Sequence, residues 1–195
     1  MDNVRAALAA RKDKAPYPAW EDSEVVALGK LAQASLVDCF SANMTAVSGV
    51  VMRSVEEVAR YLEEGGHLHG YCAPELAQAI GEKLLPSTTF SSNFDEARYD
   101  DYTFGITRAT GAIAESGTII LTDRDTSCRL GALTPWVHVA VIEAATLHRT
   151  LGHAIAALGD DPNTIWVTGP SKTADVEGIL IEGVHGPGVQ IALIV

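Results

Sequence analysis

A loop near the carboxyl-terminal end of the chain has the residue types of an anion-binding site. Its candidate anion-binding residues are Gly169, Ser171, Lys172 and Thr173. If a helix begins here, free backbone N–H groups, two hydroxyls and one ammonium converge on one point, and such a point attracts anions. Ordinary capping explains the same residue types, because Asp175 and Glu177 suit the acidic first turn of a helix.

The loop lacks the spacing of the common nucleotide sites. Neither Gly-x-x-x-x-Gly-Lys-Ser/Thr nor Gly-x-Gly-x-x-Gly occurs in the chain. We therefore predict neither a P-loop nor a Rossmann dinucleotide site. The apolar run 165–167 precedes the loop and points its carboxyl end at it, which is where open α/β sheets bind ligands.

Glu115 stands inside an apolar stretch, directly before Ser116, Gly117 and Thr118. A buried carboxylate is costly unless it is paired or functional. Two interpretations remain open. Glu115 is either structural, paired with Arg108 or Lys172 or exposed at a sheet edge, or it is a catalytic carboxylate of the site. Gly117, Thr118 and Arg108 are further candidates for anion binding in that site.

His185 lies in the glycine- and proline-rich turn 185–188. If a helix ends just before it, the imidazole can interact with the last helix carbonyls. The alternative is a catalytic histidine that acts as a general base or ligand.

The apolar pattern must supply elements that position these residues. Strand-like and helix-like runs alternate from residue 45 onward: Ser54 and Glu57 form a capping-box pattern, 74–85 and 147–158 predict helices, and 137–142 predicts a strand covered on both faces. The last unit, 165–195, predicts strand, loop, helix, tight turn and strand. The acidic segment 91–102 is either a loop over a cleft or a surface connection.

This alternation predicts an α/β fold, in which a mostly parallel sheet has helices on both faces. Residues 1–44 form a separate N-terminal helical extension in this interpretation, with a helical run over 22–44. The α/β domain then occupies 45–195.

Composition narrows the function classes. The net charge of −11 over 195 residues argues against non-specific nucleic-acid binding. The sequence contains no run of about 18 apolar residues, so we predict no membrane span. It also contains no signal-peptide pattern, and we therefore expect a cytoplasmic protein. The three cysteines form no Cys-x-x-Cys pair. We predict neither an iron–sulfur cluster nor a metal site in this chain.

Two blocks of sequence together resemble the LUD-domain family, also called LutC/YkgG or lactate utilization protein C and formerly DUF162. The first combines 105–107 with Ile-Ala-Glu-Ser-Gly-Thr at 113–118, and the second combines 168–177 with 183–187. The segment 135–142 is similar to a Pro-Pro-Val-His segment that the family has between them. Arg108 and Ser116 depart from the family pattern, in which we expect glycine and threonine.

The resemblance implies a fold like that of the NagB/RpiA/CoA transferase group. It also implies a role in oxidising L-lactate to pyruvate with partner proteins that carry iron–sulfur clusters, with no cofactor in this chain. A homo-oligomer is compatible with the sequence. Two alternatives stay open: a stand-alone enzyme that acts on a phosphorylated or CoA-linked metabolite through Glu115, and a non-catalytic scaffold that docks a redox partner.

Overall fold

The computed structural model describes residues 2–9, 35–159, 161, 163–174 and 179–195. The helices in this part of the chain are α1 (Asp2–Ala9), α2 (Leu36–Ala46), α3 (Val55–Glu64), α4 (Arg129–Leu133) and α5 (Leu151–Leu158). Short 3-10 turns occur at Pro74–Leu76, Gly81–Lys83, Glu96–Asp101 and Ala144–Thr146. The strands are β1 (Val50–Met52), β2 (His69–Cys72), β3 (Thr89–Ser91), β4 (Phe104–Arg108), β5 (Gly111–Ile113), β6 (Thr118–Thr122), β7 (Val137–Ile142), β8 (Leu147–His148), β9 (Thr164–Val167), β10 (Lys172–Ala174), β11 (Leu180–Glu182) and β12 (Val189–Ile194).

A central sheet of six strands has the order β1-β12-β7-β4-β2-β3. All of its neighbouring strands are parallel. Every residue of β7 is buried, which confirms the prediction that 137–142 is a strand covered on both faces. The predicted α/β class with a mostly parallel sheet is therefore confirmed.

Helices cover both faces of this sheet. On one face, Val58 and Leu62 of α3 join the core formed by the odd-numbered residues of β7. On the other face, Phe40 and Met44 of α2 pack with its even-numbered residues and with a second sheet. The predicted capping box opens α3, because Ser54 Oγ accepts from Glu57 N and the Glu57 carboxylate accepts from Ser54 N.

The second sheet has the order β8-β5-β6-β9 and is mostly antiparallel. Ile119 on its inner side belongs to the core that it shares with α2. On its outer side, Ile113 and Ile120 pack against Ala154 and Leu158 of α5. Strands β5 and β6 flank the turn at 116–117.

The last unit of the chain differs from its prediction. Residues 172–174 are strand β10, which pairs antiparallel with β11 at Thr173 and Ile181. The helix predicted to begin at 171–173 is therefore wrong at its start, and 175–178 lie outside the described residues. The chain is drawn into a hairpin by tertiary hydrogen bonds, from Gly183 N to Ser171 O and from Ser171 N to Pro187 O, and these outweigh a local capping signal.

Three further predictions need correction or qualification. The helix predicted over 74–85 is wrong, because the chain forms two 3-10 turns there and Gly81 lies against the ring of Phe90. The helical run predicted over 22–44 is observed only from Leu36, and 22–34 lie outside the described residues. The division at residue 44 stays a prediction; α2, which spans it, is packed into the core of the α/β domain.

Candidate functional site

The carboxyl-terminal end of α2 is the point where the predicted site segments meet. We call this region the α2 junction and define it by residues 43–48, 114–118 and 168–172. Asn43 Nδ2 donates to Ala114 O at 2.7 Å. A Cβ on Gly117 would lie 2.3 Å from Met44 N, and a Cβ on Gly169 would lie 2.2 Å from Val47 O. Both glycines also have positive φ, so no other residue fits either position without strain.

A chain of hydroxyls links two of these segments. Ser116 Oγ lies 2.7 Å from Thr118 Oγ1, which lies 2.8 Å from Thr168 Oγ1. Thr118 opens β6 and Thr168 follows β9, and the two strands pair antiparallel. The second sheet therefore brings the block around Glu115 next to the loop that contains Lys172.

Lys172 points its ammonium at the end of α2. Its Nζ lies 2.9 Å from Ser48 Oγ, 3.5 Å from Val47 O and 3.6 Å from Glu182 Oε1. The carboxyl-terminal end of a helix carries partial negative charge, so a lysine stabilises it there. Ser48, the partner of the ammonium, has a positive φ of 68°.

The remaining residues of the loop lie in the β10–β11 hairpin or at its open end, beside the turn 183–187. Ser171 is tied to the 183–187 turn through its backbone, and Thr173 lies within β10. His185 is exposed in the same turn. The indole of Trp136 lies against the backbones of Gly183 and Gly188, where a Cβ would approach it to 2.2 and 2.4 Å.

Glu115 has a structural partner. Its Oε1 accepts a hydrogen bond from Leu151 N at 2.6 Å, at the first residue of α5. Its backbone N–H donates to Arg149 O at 3.2 Å. The carboxylate therefore satisfies one of the free N–H groups of a helix start and places a negative charge where the helix dipole favours it. Neither Arg108 nor Lys172, the partners proposed from the sequence, makes this contact.

Arg108 lies away from the α2 junction. It ends β4 at the carboxyl-terminal edge of the central sheet, where it forms an ion pair with Glu143. Lys172 instead contacts the residues that precede β1, at the amino-terminal edge. The expectation that the loop follows a strand of the parallel sheet is wrong, because β9 belongs to the second sheet. The structure thus groups Gly117, Thr118, Gly169 and Lys172, but not Arg108.

Sequence reasoning missed a buried polar network beside the core. His138 is fully buried in β7; its Nε2 lies 2.9 Å from Thr107 Oγ1 and its Nδ1 lies 3.0 Å from Gln190 Oε1. Burial lowers the pKa of His138 to about 4, and the hydrogen bond to Gln190 opposes this shift in part. The detectable signal was a histidine and a glutamine within two otherwise apolar strands.

The described helices include none with both the length and the apolar character needed to cross a membrane.

Comparison with known proteins gives a consistent result. The family model of the LUD domain matches residues 40–195. A lactate utilization protein C from Halalkalibacterium halodurans is 38% identical over 91 residues, which are 43% of this chain and 40% of that protein. One from Bacillus licheniformis is 36% identical over 106 residues, 50% of this chain and 44% of that protein. The matched regions therefore span less than half the length of these relatives.

A solved structure shares the fold. The crystal structure of a DUF162 family protein from Deinococcus radiodurans superimposes with a TM-score of 0.61 and 20% identity, over 82% of this chain and 96% of that chain. At this identity the likeness concerns the fold. The family model, in contrast, covers most of the sequence, including both blocks around Glu115 and Lys172. The chain belongs to the LUD-domain family.

Proposed function

We propose that this protein is a component of L-lactate utilisation, in which L-lactate is oxidised to pyruvate together with iron–sulfur partner proteins. The observation that carries the proposal is the LUD-domain match over 40–195, together with relatives named lactate utilization protein C. The partners carry the clusters in this proposal, and the present chain needs no cofactor of its own.

Within this role, the chain holds a small anion at the loop 169–173. Support comes from Lys172, whose ammonium is partly exposed and stands beside the hydroxyl of Ser48. Glu182, 3.6 Å from the same ammonium, occupies the place that a carboxylate ligand would take. A bound anion replaces Glu182 as the partner of Lys172, and Ser48 donates a second hydrogen bond to it.

We favour a role in which the chain binds an anion over one in which Glu115 acts as a catalytic nucleophile. Its carboxylate accepts from the first N–H of α5 and is committed to that helix. The scaffold alternative has its own support, since exposed apolar side chains cluster along the hairpin and its base. They are Trp136, Leu180, Ile181 and Val184. Such surfaces are typical of protein interfaces.

Growth on L-lactate as sole carbon source tests the role in lactate utilisation. A strain that lacks the gene is expected to fail on L-lactate and to grow normally on glucose. Normal growth of that strain on L-lactate would contradict the proposal.

Calorimetric titration with L-lactate, pyruvate and phosphate tests the anion site separately. Lys172→Ala is expected to weaken anion binding by about 1–3 kcal/mol, because one charged hydrogen bond is lost. Lys83→Ala, at an exposed lysine outside the junction, is the matched control. Equal affinity in the wild type and in Lys172→Ala would exclude the loop as the anion site and leave the growth result unaffected.

A further inference from the structure

A cleft forms where the segment 91–102 turns back over the edge of the central sheet. It has a volume of about 280 Å³. Its lining residues are His69, Ser91, Asn93, Asp95, Arg98, Asp101 and Tyr102. Pockets for drug-sized ligands usually measure about 300–1,000 Å³. The cleft lies just below this range, so it suits a smaller molecule. The cleft lies at β3, which is one outer strand of the sheet, and at its neighbour β2. The α2 junction instead adjoins the start of β1, the outer strand on the other side of the same sheet.

The walls of the cleft are held by packing and hydrogen bonds. Phe94 stacks on Tyr102 with ring centroids 4.7 Å apart and meets Tyr71 edge-on at 5.7 Å. Tyr102 stacks in turn on His69. Asp95 N donates to Tyr102 Oη at 3.0 Å, which joins the loop to the ring stack. The segment 91–102 is therefore anchored over the sheet, as the loop-over-a-cleft interpretation of the sequence expected.

Three of the lining side chains offer hydrogen-bond acceptors to the cleft. The Thr89 hydroxyl donates to Leu68 O, so it accepts from His69 Nδ1; in the tautomer with its N–H at Nδ1, His69 Nε2 is an acceptor. Ser91 Oγ donates to Asn93 O and accepts from Asn93 N, so one of its lone pairs remains. Asp95 uses Oδ1 to accept from Ala97 N, which leaves Oδ2 available.

The charge of the cleft is negative. Two carboxylates, Asp95 and Asp101, line it with one guanidinium. That guanidinium, of Arg98, is already bound to Asp101 through Nε at 2.7 Å. The lining thus disfavours anions, and the net charge of −11 raises the local concentration of cations around the whole molecule.

We infer that this cleft binds a small organic ammonium ion, which donates N–H groups to Asp95 Oδ2 and His69 Nε2. This inference does not rest on the proposed role in lactate utilisation.

Calorimetric titration with ethylammonium chloride tests the inference directly. Saturable binding is expected, with amide chemical-shift changes confined to the neighbourhood of 69 and 91–102. Tetramethylammonium carries the same charge without N–H donors and is expected to bind at least about tenfold more weakly. Glycerol, a neutral donor, is expected not to bind. Absence of saturable ethylammonium binding, or equal affinity for tetramethylammonium, would overturn the inference.

Three variants, one of them a control, test which residues bind the ammonium ion. Asp95→Asn keeps the Oδ1 acceptor for Ala97 N but removes the charge, so ethylammonium affinity should fall about tenfold to a hundredfold. Asp100→Asn, at an exposed carboxylate outside the lining, should change it less than about twofold. Arg98→Ala frees Asp101 and should tighten binding. Unchanged affinity in Asp95→Asn, or weaker binding in Arg98→Ala, would contradict the assignment.

Discussion

His138 shows what burial imposes on a single residue. Both of its ring nitrogens have partners, because Gln190 Oε1 accepts from Nδ1–H and Thr107 then donates to Nε2. A neutral ring satisfies this pattern, whereas a protonated ring would bring a second ring N–H and a charge into the core. The pKa of His138 is lowered to about 4 for this reason.

This shift predicts how stability depends on pH. The folded pKa lies below the value of 6.5 for the free side chain, so the unfolded chain binds the proton more readily. The contribution of His138 to the free energy of unfolding is complete above pH 6.5 and decreases as the pH falls towards 4. The total decrease is about 3 kcal/mol. Urea unfolding of the wild type and of His138→Gln across this range measures the effect.

The variant should lack this component of the pH dependence. His185→Asn, at an exposed histidine, should retain it. Parallel pH profiles of the wild type and His138→Gln would contradict the assignment of the buried ring as neutral.

At the scale of elements, the α2 junction depends on backbone approach. The end of α2 lies so close to the turn at Gly117 and to the loop at Gly169 that neither position has room for a Cβ. Lys172 then donates to Val47 O, which directly follows the last residue of the same helix. One helix end thus fixes the relative position of two segments that are about 50 residues apart in the chain.

Substitution of Gly169 separates backbone strain from close approach. Gly169→Ala is expected to destabilise the protein by about 2–4 kcal/mol, because a positive φ costs about 1–2 kcal/mol and the added methyl must displace Val47 O. Gly66→Ala is the matched control, since Gly66 has φ of 71° with nothing near its Cβ, and should lose only the conformational part. Chemical denaturation compares them; equal losses would exclude the close approach as a cause.

At the scale of the whole molecule, α2 joins two sheets into one structure. Phe40 and Met44 are fully buried in a core to which both the central sheet and the second sheet contribute. The second sheet is covered by α5 on its outer side, and the central sheet by α3. These layers share apolar contacts, so we expect them to unfold together.

Phe40→Ala tests this coupling. It should lower the free energy of unfolding by about 3–5 kcal/mol, while fluorescence and circular dichroism still report one coincident transition. Ile155→Ala, at an exposed residue of α5, should change it by less than about 1 kcal/mol. Separate transitions for the two probes would contradict a single cooperative unit.

Local signals were sufficient for the elements that local forces control. The capping box at Ser54 and the buried run 137–142 predicted α3 and β7, because capping and apolar periodicity act over a few residues. The repeated alternation predicted the α/β class. The block 105–107 with 113–118 and the block 168–177 with 183–187 together indicated the LUD-domain family.

The candidate site depended on contacts that no local pattern contains. Ser171 to Thr173 have the composition of a helix start, yet Gly183 and Pro187 supply the hydrogen bonds that draw this segment into a hairpin. Glu115 accepts a hydrogen bond from the first residue of α5. Arg108 lies at the carboxyl-terminal ends of the parallel strands, whereas Lys172 lies at their amino-terminal ends. The sequence by itself determined the class of fold and which residues carry polar chemistry. Only the tertiary structure decided which of them share a site, because strand order and the end of α2 bring distant segments together.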